Sequence, residues 1–289
     1  MRIPESELII NGDGSAFHLH ITPEHLADKV VLVGDPGRVE LFSKRFDTIE
    51  ARTEYREFVS VTGTFRGTRM TVLSTGIGTD NIDIVVTELD ALANIDFVTR
   101  EERPEHRTLQ ILRVGTCGAV QPDIPLGTFV FSEISVGIDG LMNWYDGRDT
   151  FALADYEEAF KKHCNWLPQL PDPYFVRSSS KLADLFADCT LKGMTVSAPG
   201  FYGPQGRVVR QGLAMPDMIE KFESFRFDGR KITNFEMESS ALAGMAAKLG
   251  HDAATVCCAI ANRHLQSANT DYKPLIQELA DLVLEKLAL

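Results

Sequence analysis

Val30-Val31-Leu32-Val33-Gly34-Asp35-Pro36-Gly37-Arg38 is the stretch whose reading decides the fold. Its opening apolar run, mostly β-branched, reads as a strand buried on both faces, as in a parallel sheet covered by helices. A glycine- and proline-bearing turn ends the run, and Val39, Leu41 and Phe42 then follow a helical pattern. Strand, glycine turn and helix form the repeating unit of α/β proteins, and the turn is where such proteins set phosphates on backbone N–H groups. Neither GxGxxG nor GxxxxGK[ST] is present, so this is not a dinucleotide fingerprint or a P-loop. Taken alone, the turn reads equally well as a plain connection.

The same pattern recurs further along. Residues 56–61 and 69–73 flank Arg66-Gly67 and predict a hairpin. Its second strand runs into Ser74-Thr75-Gly76-Ile77-Gly78, after which Thr79-Asp80 is expected to cap a helix built on Ile82, Val85, Leu89 and Leu92. A strand at 109–114 enters Gly115-Thr116-Cys117-Gly118. Ligands bind beside the carboxyl ends of strands in open α/β sheets, so the three glycine turns should converge. Further strands are expected at 127–131, 194–197 and 255–260, the last ending in Ala261-Asn262-Arg263. Residues 180–189 read as a helix, and Leu275, Ile276, Leu279, Leu282, Val283 and Leu287 give a closing amphipathic helix. Residues 140–178 read as a long irregular excursion, a lid or a subunit contact. With no repeat and no linker, residues 1–289 read as one α/β domain with a central mixed β-sheet flanked by helices.

Composition narrows the class of function. Lys plus Arg is 29 against 41 Asp plus Glu, a net charge of −12, which argues against a nucleic-acid or anionic-membrane surface. Five cysteines without CxxC spacing read as buried thiols in a reducing compartment. The N-terminus lacks a signal-peptide core and no apolar run approaches a membrane span, so the chain is expected to be cytoplasmic.

Against that acidic background a few residues stand out. Asn234-Phe235-Glu236-Met237-Glu238-Ser239 places two carboxylates where an apolar, small-residue helix begins. They read either as a charge-stabilised helix start or as acceptors for sugar hydroxyls. Arg38 and Arg113 lie beside glycine turns, Arg56 at a strand start, and Arg207 in Phe201-Tyr202-Gly203-Pro204-Gln205-Gly206-Arg207. Arginine is suited to bidentate oxyanion binding, although any one of these is more simply a solvated charge. His18-Leu19-His20 would put two imidazoles on one face, but no third ligand is in register, so no metal is expected.

Together the motifs FHL (Phe17, His18, Leu19), GDPGR, STGIG, RVGTCGA and NFEMES make the chain resemble the nucleoside phosphorylase family, most closely its uridine phosphorylase branch. The resemblance runs from about Phe17 through the final helix. It implies a pentosyltransferase that performs reversible phosphorolysis, uridine plus phosphate giving uracil and ribose 1-phosphate. Inorganic phosphate would be the co-substrate and no other cofactor is implied. By position, Gly34, Arg38, Arg113 and Thr116 would hold phosphate, with Arg56 reaching in from a neighbouring subunit. Met237 and Glu238, supported by Glu236, would hold ribose together with the neighbour's copy of His18. Phe201, Gln205, Arg207 and Gly118 would form the base pocket. Purine-cleaving relatives carry an Asp where this chain has Asn262-Arg263. The implied catalytic pair is Arg263 and Arg207, which would offset charge on a departing pyrimidine.

The implied partners are a small-molecule nucleoside and phosphate, with no nucleic acid or membrane, in a homo-oligomer (dimer or hexamer). After STGIG the branch usually continues with another glycine and a proline, whereas here it is Thr79-Asp80-Asn81. The competing readings are a purine nucleoside phosphorylase or hydrolytic nucleosidase on the same fold, and a non-catalytic nucleoside sensor.

Overall fold

The decisive stretch folds as its sequence predicts. In the computed structural model, which describes residues 2–289, Lys29–Val33 forms strand β1, and Pro36–Ser43 forms helix α1 with Asp35 as its cap. Next come β2 (Thr48–Tyr55), β3 (Phe58–Phe65), β4 (Thr68–Ser74) and α2 (Thr79–Asn94). A two-residue pair, β5 (Ile95–Asp96) and β6 (Glu101–Glu102), precedes β7 (Gln110–Ala119) and β8 (Phe129–Gly137). Then follow α3 (Ala154–Cys164), β9 (Tyr174–Arg177), α4 (Ser180–Leu185), β10 (Leu191–Ser197) and α5 (Met218–Ser224). The last elements are β11 (Arg226–Phe227), β12 (Arg230–Glu236), α6 (Ser239–Leu249), β13 (Asp252–Asn262), β14 (Ser267–Ala268) and α7 (Lys273–Leu287).

These strands make one twelve-stranded mixed sheet, ordered β11-β12-β10-β8-β13-β7-β1-β4-β3-β2 with β9 and β14 at its margins. β1 lies parallel between β4 and β7, so their carboxyl ends stand side by side, as the converging turns required. β7 continues parallel to β13, and β12 returns antiparallel to β7 at Ala119 and Gly118. That last pairing closes β7, β13, β8, β10 and β12 into a ring. One hydrophobic layer packs α2 and α6 on the sheet, and a second packs α1, α4 and α7 on it.

Several expectations need correcting. Gly115-Thr116-Cys117-Gly118 is not a turn, because β7 runs straight through it to Ala119. Arg56 does not start a strand; it sits in the β2–β3 turn at φ 52°, a left-handed conformation uncommon outside glycine. The cap of α2 is Gly78 at φ 102°, and Thr79 is already helical. The left-handed demand therefore falls on Gly76 and Gly78, and a threonine after them needs no special freedom. The stretch 140–178 carries α3 and β9, with a buried aromatic cluster of Tyr156, Phe160 and Phe175, so it is packed rather than irregular. β2 escaped sequence reading because its alternating side chains are mostly exposed and polar.

Candidate active site

The carboxyl ends of β1, β4, β7, β12 and β13 surround one cavity of about 1210 Å³. Gly34, Arg38, Arg113, Thr116 and Gly118 line it from the sheet side, and Glu236, Met237 and Glu238 from the start of α6. Phe201, Gln205, Arg207 and Arg263 line the rest. Segments far apart in sequence thus meet because parallel β4, β1, β7 and β13 put their carboxyl ends at one rim, and β12 reaches the same rim by crossing back onto the end of β7.

Glu236 explains the local fold of its own motif. Its carboxylate accepts from the backbone N–H of Glu238 and of Ser239, each at 2.9 Å, and from the hydroxyls of Ser197 and Ser239. Its side chain therefore satisfies free N–H groups at the start of α6, whose N-cap residue is Glu238, where the macrodipole favours a negative charge. The same side chain lies 3.2 Å from Arg113 Nη1, while Arg113 Nη2 pairs with Glu238. Glu238 also accepts from Gly78 N–H at 2.8 Å, tying the start of α2 to the start of α6. All three charged side chains are buried. Burial pushes the Glu238 carboxyl above its usual range, against the pull of Arg113. For Arg113, burial acts downward, but the two carboxylates outweigh it and hold the guanidinium firmly protonated. Arg113 Nε is buried and has no hydrogen-bond partner among the described residues.

At the opposite side the Arg207 guanidinium stacks 3.7 Å above the centre of the Phe201 ring and donates to Gln205 Oε1 at 2.6 Å. Arg263 donates to the carbonyls of Gln205 (3.0 Å) and Gly206 (3.3 Å). Burial, then the charge of Arg263, lowers the Arg207 pKa to about 10, and burial lowers that of Arg263. Neither has a carboxylate partner among the described residues, and two half-buried cations left so are costly. Asn262 donates instead to the carbonyls of Gln121 (2.9 Å) and Ile124 (3.0 Å), a structural use of its amide.

A family model described as the phosphorylase superfamily matches residues 28–288. The chain belongs to the phosphorylase superfamily. Among its relatives, the uridine phosphorylase of Haemophilus influenzae is 31% identical over 261 residues, covering 86% of this chain and 87% of that one. The uridine phosphorylase of Thermococcus kodakarensis is 28% identical, covering 87% and 79%. A DeoD-type purine nucleoside phosphorylase of Psychromonas ingrahamii is 27% identical, covering 86% and 87%. A Trypanosoma brucei nucleoside phosphorylase, described as showing uridine phosphorylase activity, superposes with a TM-score of 0.86 at 28% identity, covering 97% of this chain and 99% of that one.

Two residues singled out from sequence do not line this phosphorylase cavity: His18 and Arg56. They lie on one patch. Arg56 sits 5.2 Å over the Tyr55 ring, which is itself 4.3 Å from His20, and His18 packs near Phe58 at the start of β3. Sequence reading missed Glu88, whose buried carboxylate lies 2.6 Å from His18 Nδ1. The signal was a charged residue at helical spacing from Val85 and Leu92, on the apolar face of α2. It also missed residues 266–270 and Tyr272, which complete the rim beyond β13.

Among the described residues, one cluster has ligand-like spacing: Asp90, His106 and His251. His251 Nδ1 accepts from the Leu109 N–H at 3.1 Å, so its proton is on Nε2, facing Asp90 at 3.1 Å. That leaves no lone pair for a metal.

Proposed function

We propose that the chain catalyses the reversible phosphorolysis of a pyrimidine nucleoside, converting uridine and phosphate to uracil and ribose 1-phosphate. One observation carries the reading: a single cavity offers an anion seat, a carboxylate wall and a pair of carboxylate-free arginines around a buried glutamine. Phosphate is the co-substrate, and the chemistry asks for no other cofactor.

Gly34, at the turn before α1, and Arg38 hold phosphate with Arg113 and Thr116. Arg113 and its two carboxylates together carry a net −1, so Arg113 alone does not make the floor attractive to an anion. Arg38 brings that total to zero, and Arg56 from an adjacent subunit makes it positive. Glu238 and Met237 hold the ribose hydroxyls, Glu236 keeps Glu238 in place, and the neighbour's copy of His18 takes the sugar's far end. The enzyme is therefore a homo-oligomer built on a dimer, as the dimer or hexamer expected from sequence.

Gln205 can donate and accept at once, matching the alternating C=O and N–H edge of uracil. Phe201 covers the ring and Gly118 lets it lie close. The glycosidic bond stretches first, giving an oxocarbenium-like sugar that phosphate stabilises and then attacks from the opposite face. Arg207 and Arg263 offset charge growing on the carbonyl oxygens of the departing base, each worth about 3 kcal/mol of barrier. Asn262, committed to backbone carbonyls, offers no acid to a purine leaving group. The reading makes the protein a cytoplasmic enzyme of nucleoside metabolism and pyrimidine salvage, supported by its five free thiols.

Assays of uridine and inosine, each with and without phosphate, test it. Phosphate-dependent loss of uridine is expected. Preference for inosine would point to purine phosphorolysis, and turnover without phosphate to hydrolysis.

A further inference from the structure

Glu88 makes more contacts with His18 than packing requires. Its carboxylate accepts from the His18 N–H (3.1 and 3.0 Å to its two oxygens), the Leu19 N–H (3.0 Å) and His18 Nδ1 (2.6 Å). Its side chain is 10% exposed and fixed on the rigid α2, whereas the His18 ring is 27% exposed. An ionised carboxylate only accepts, so the proton of this contact belongs to Nδ1 and the other ring nitrogen, Nε2, is left free. With an ionised Glu88 the pair carries −1 when the imidazole is neutral and zero when it is protonated. It is never net positive.

We propose that Glu88 is a positioning and specificity residue: it locks His18 in the Nδ1–H tautomer so that Nε2 accepts the primary hydroxyl of a nucleoside seated in an adjacent copy. The inference rests on the phosphorolysis reading. Glu238 is bound to Arg113 at the phosphate end of the cavity, so it serves the hydroxyls near C1. The 5′-hydroxyl is at the other end of the ribose, where the cavity's own chain offers neither His18 nor Glu88. The same pair gives a 5′-phosphate no net cation to pair with, so it selects nucleosides over nucleotides.

The test compares uridine with 5′-deoxyuridine in the assembled enzyme. The native protein is expected to favour uridine about tenfold in kcat/KM, the size of one well-placed hydrogen bond. Glu88→Gln should bring that ratio close to one by slowing uridine alone, with 5′-deoxyuridine and the phosphate KM unchanged. His18→Ala should also bring the ratio close to one, and adding Glu88→Gln to it should change the ratio no further. Uridine 5′-monophosphate should not be a substrate of the native enzyme. An unchanged ratio in Glu88→Gln, or an equal loss for both substrates, overturns the proposal. A separate readout does not need turnover: nitrogen NMR of His18 at pH 8 should show Nε2 unprotonated in the native chain and a tautomer mixture in Glu88→Gln. A protonated Nε2 in the native protein also overturns it. A native protein inert toward both nucleosides counts against phosphorolysis itself, and the NMR result still decides whether Glu88 sets the tautomer.

Discussion

Gly115→Ala puts the anion floor to a sharp test. A methyl built on Gly115 would lie 2.5 Å from Arg113 Nη1, 3.1 Å from its Cζ and 3.2 Å from Cys257 Sγ. Contact at ordinary van der Waals distance, about 3.5 Å, requires the guanidinium to retreat by about 1 Å. Arg113 has little freedom to do so, since Glu236 and Glu238 hold its two terminal nitrogens. The φ of Gly115 is not left-handed, so alanine brings no backbone strain and the substitution tests space alone. Overpacking of this kind costs about 1–3 kcal/mol of stability. A displacement of about 1 Å in a group that positions a reactant costs on the order of 100-fold in rate. Urea unfolding should show the first, and phosphorolysis of uridine at varied phosphate should show the second as a raised phosphate KM and reduced kcat. A Gly115→Ala enzyme with both constants within about threefold of the native ones would refute the idea that Arg113 is seated through the bare backbone of β7.

Truncating the base pocket, as Gln205→Ala or Arg207→Met, should lower uridine kcat/KM by about 100-fold while leaving the unfolding midpoint within a few degrees, measured by calorimetry. If Arg56 serves another subunit, Arg56→Ala and Arg38→Met should each be nearly inactive, yet regain about a quarter of native activity when unfolded and refolded together as mixed dimers. No recovery would place Arg56 outside the neighbour's site. Asp139, withdrawn from solvent beside Tyr174 and Ser240, has its carboxyl pushed up chiefly by that burial. Between its unfolded and folded values the native state binds more protons, so its contribution to stability falls as pH rises from about 4 through the folded value. The stability of the native chain relative to Asp139→Asn should fall over that window and then level off; a gap that widens with pH would contradict the assignment.

What sequence disclosed about this molecule follows from which interactions are local. The run at Val30 to Val33 and its glycine turn announce a buried strand, because β-branched residues without a polar face fit little else. Arg38, Arg113, Arg207 and the Glu236–Glu238 pair were visible as charges in unlikely places, and all of them reach one cavity, whereas Arg56 does not. Glycines at 115 and 118 misled because β7 runs straight through both, and Gly115 is there to make room for the Arg113 guanidinium, not to bend the chain. Glu88 was hidden because its partner is 70 residues away in sequence, and a single acid in a helix resembles a surface charge until its burial is known. The excursion at 140–178 looked structureless because its prolines and tryptophans mask a short helix whose packing partners, Phe222 and Phe225, come much later.

The ring closed by β12 against β7 bears on how this enzyme comes into being. Ala119 and Asn234, paired across the seam, are separated by more than a hundred residues, and β13, the neighbour on β7's other flank, is translated later still. Contacts this distant form late and slowly, after the entropy of a large loop has been spent. A growing chain on the ribosome therefore carries Arg113 long before it has a carboxylate to meet it. Severing the backbone between those two strands would leave Arg113 on one fragment and Glu236 and Glu238 on the other, so the cavity is completed all at once, at the final stage of assembly.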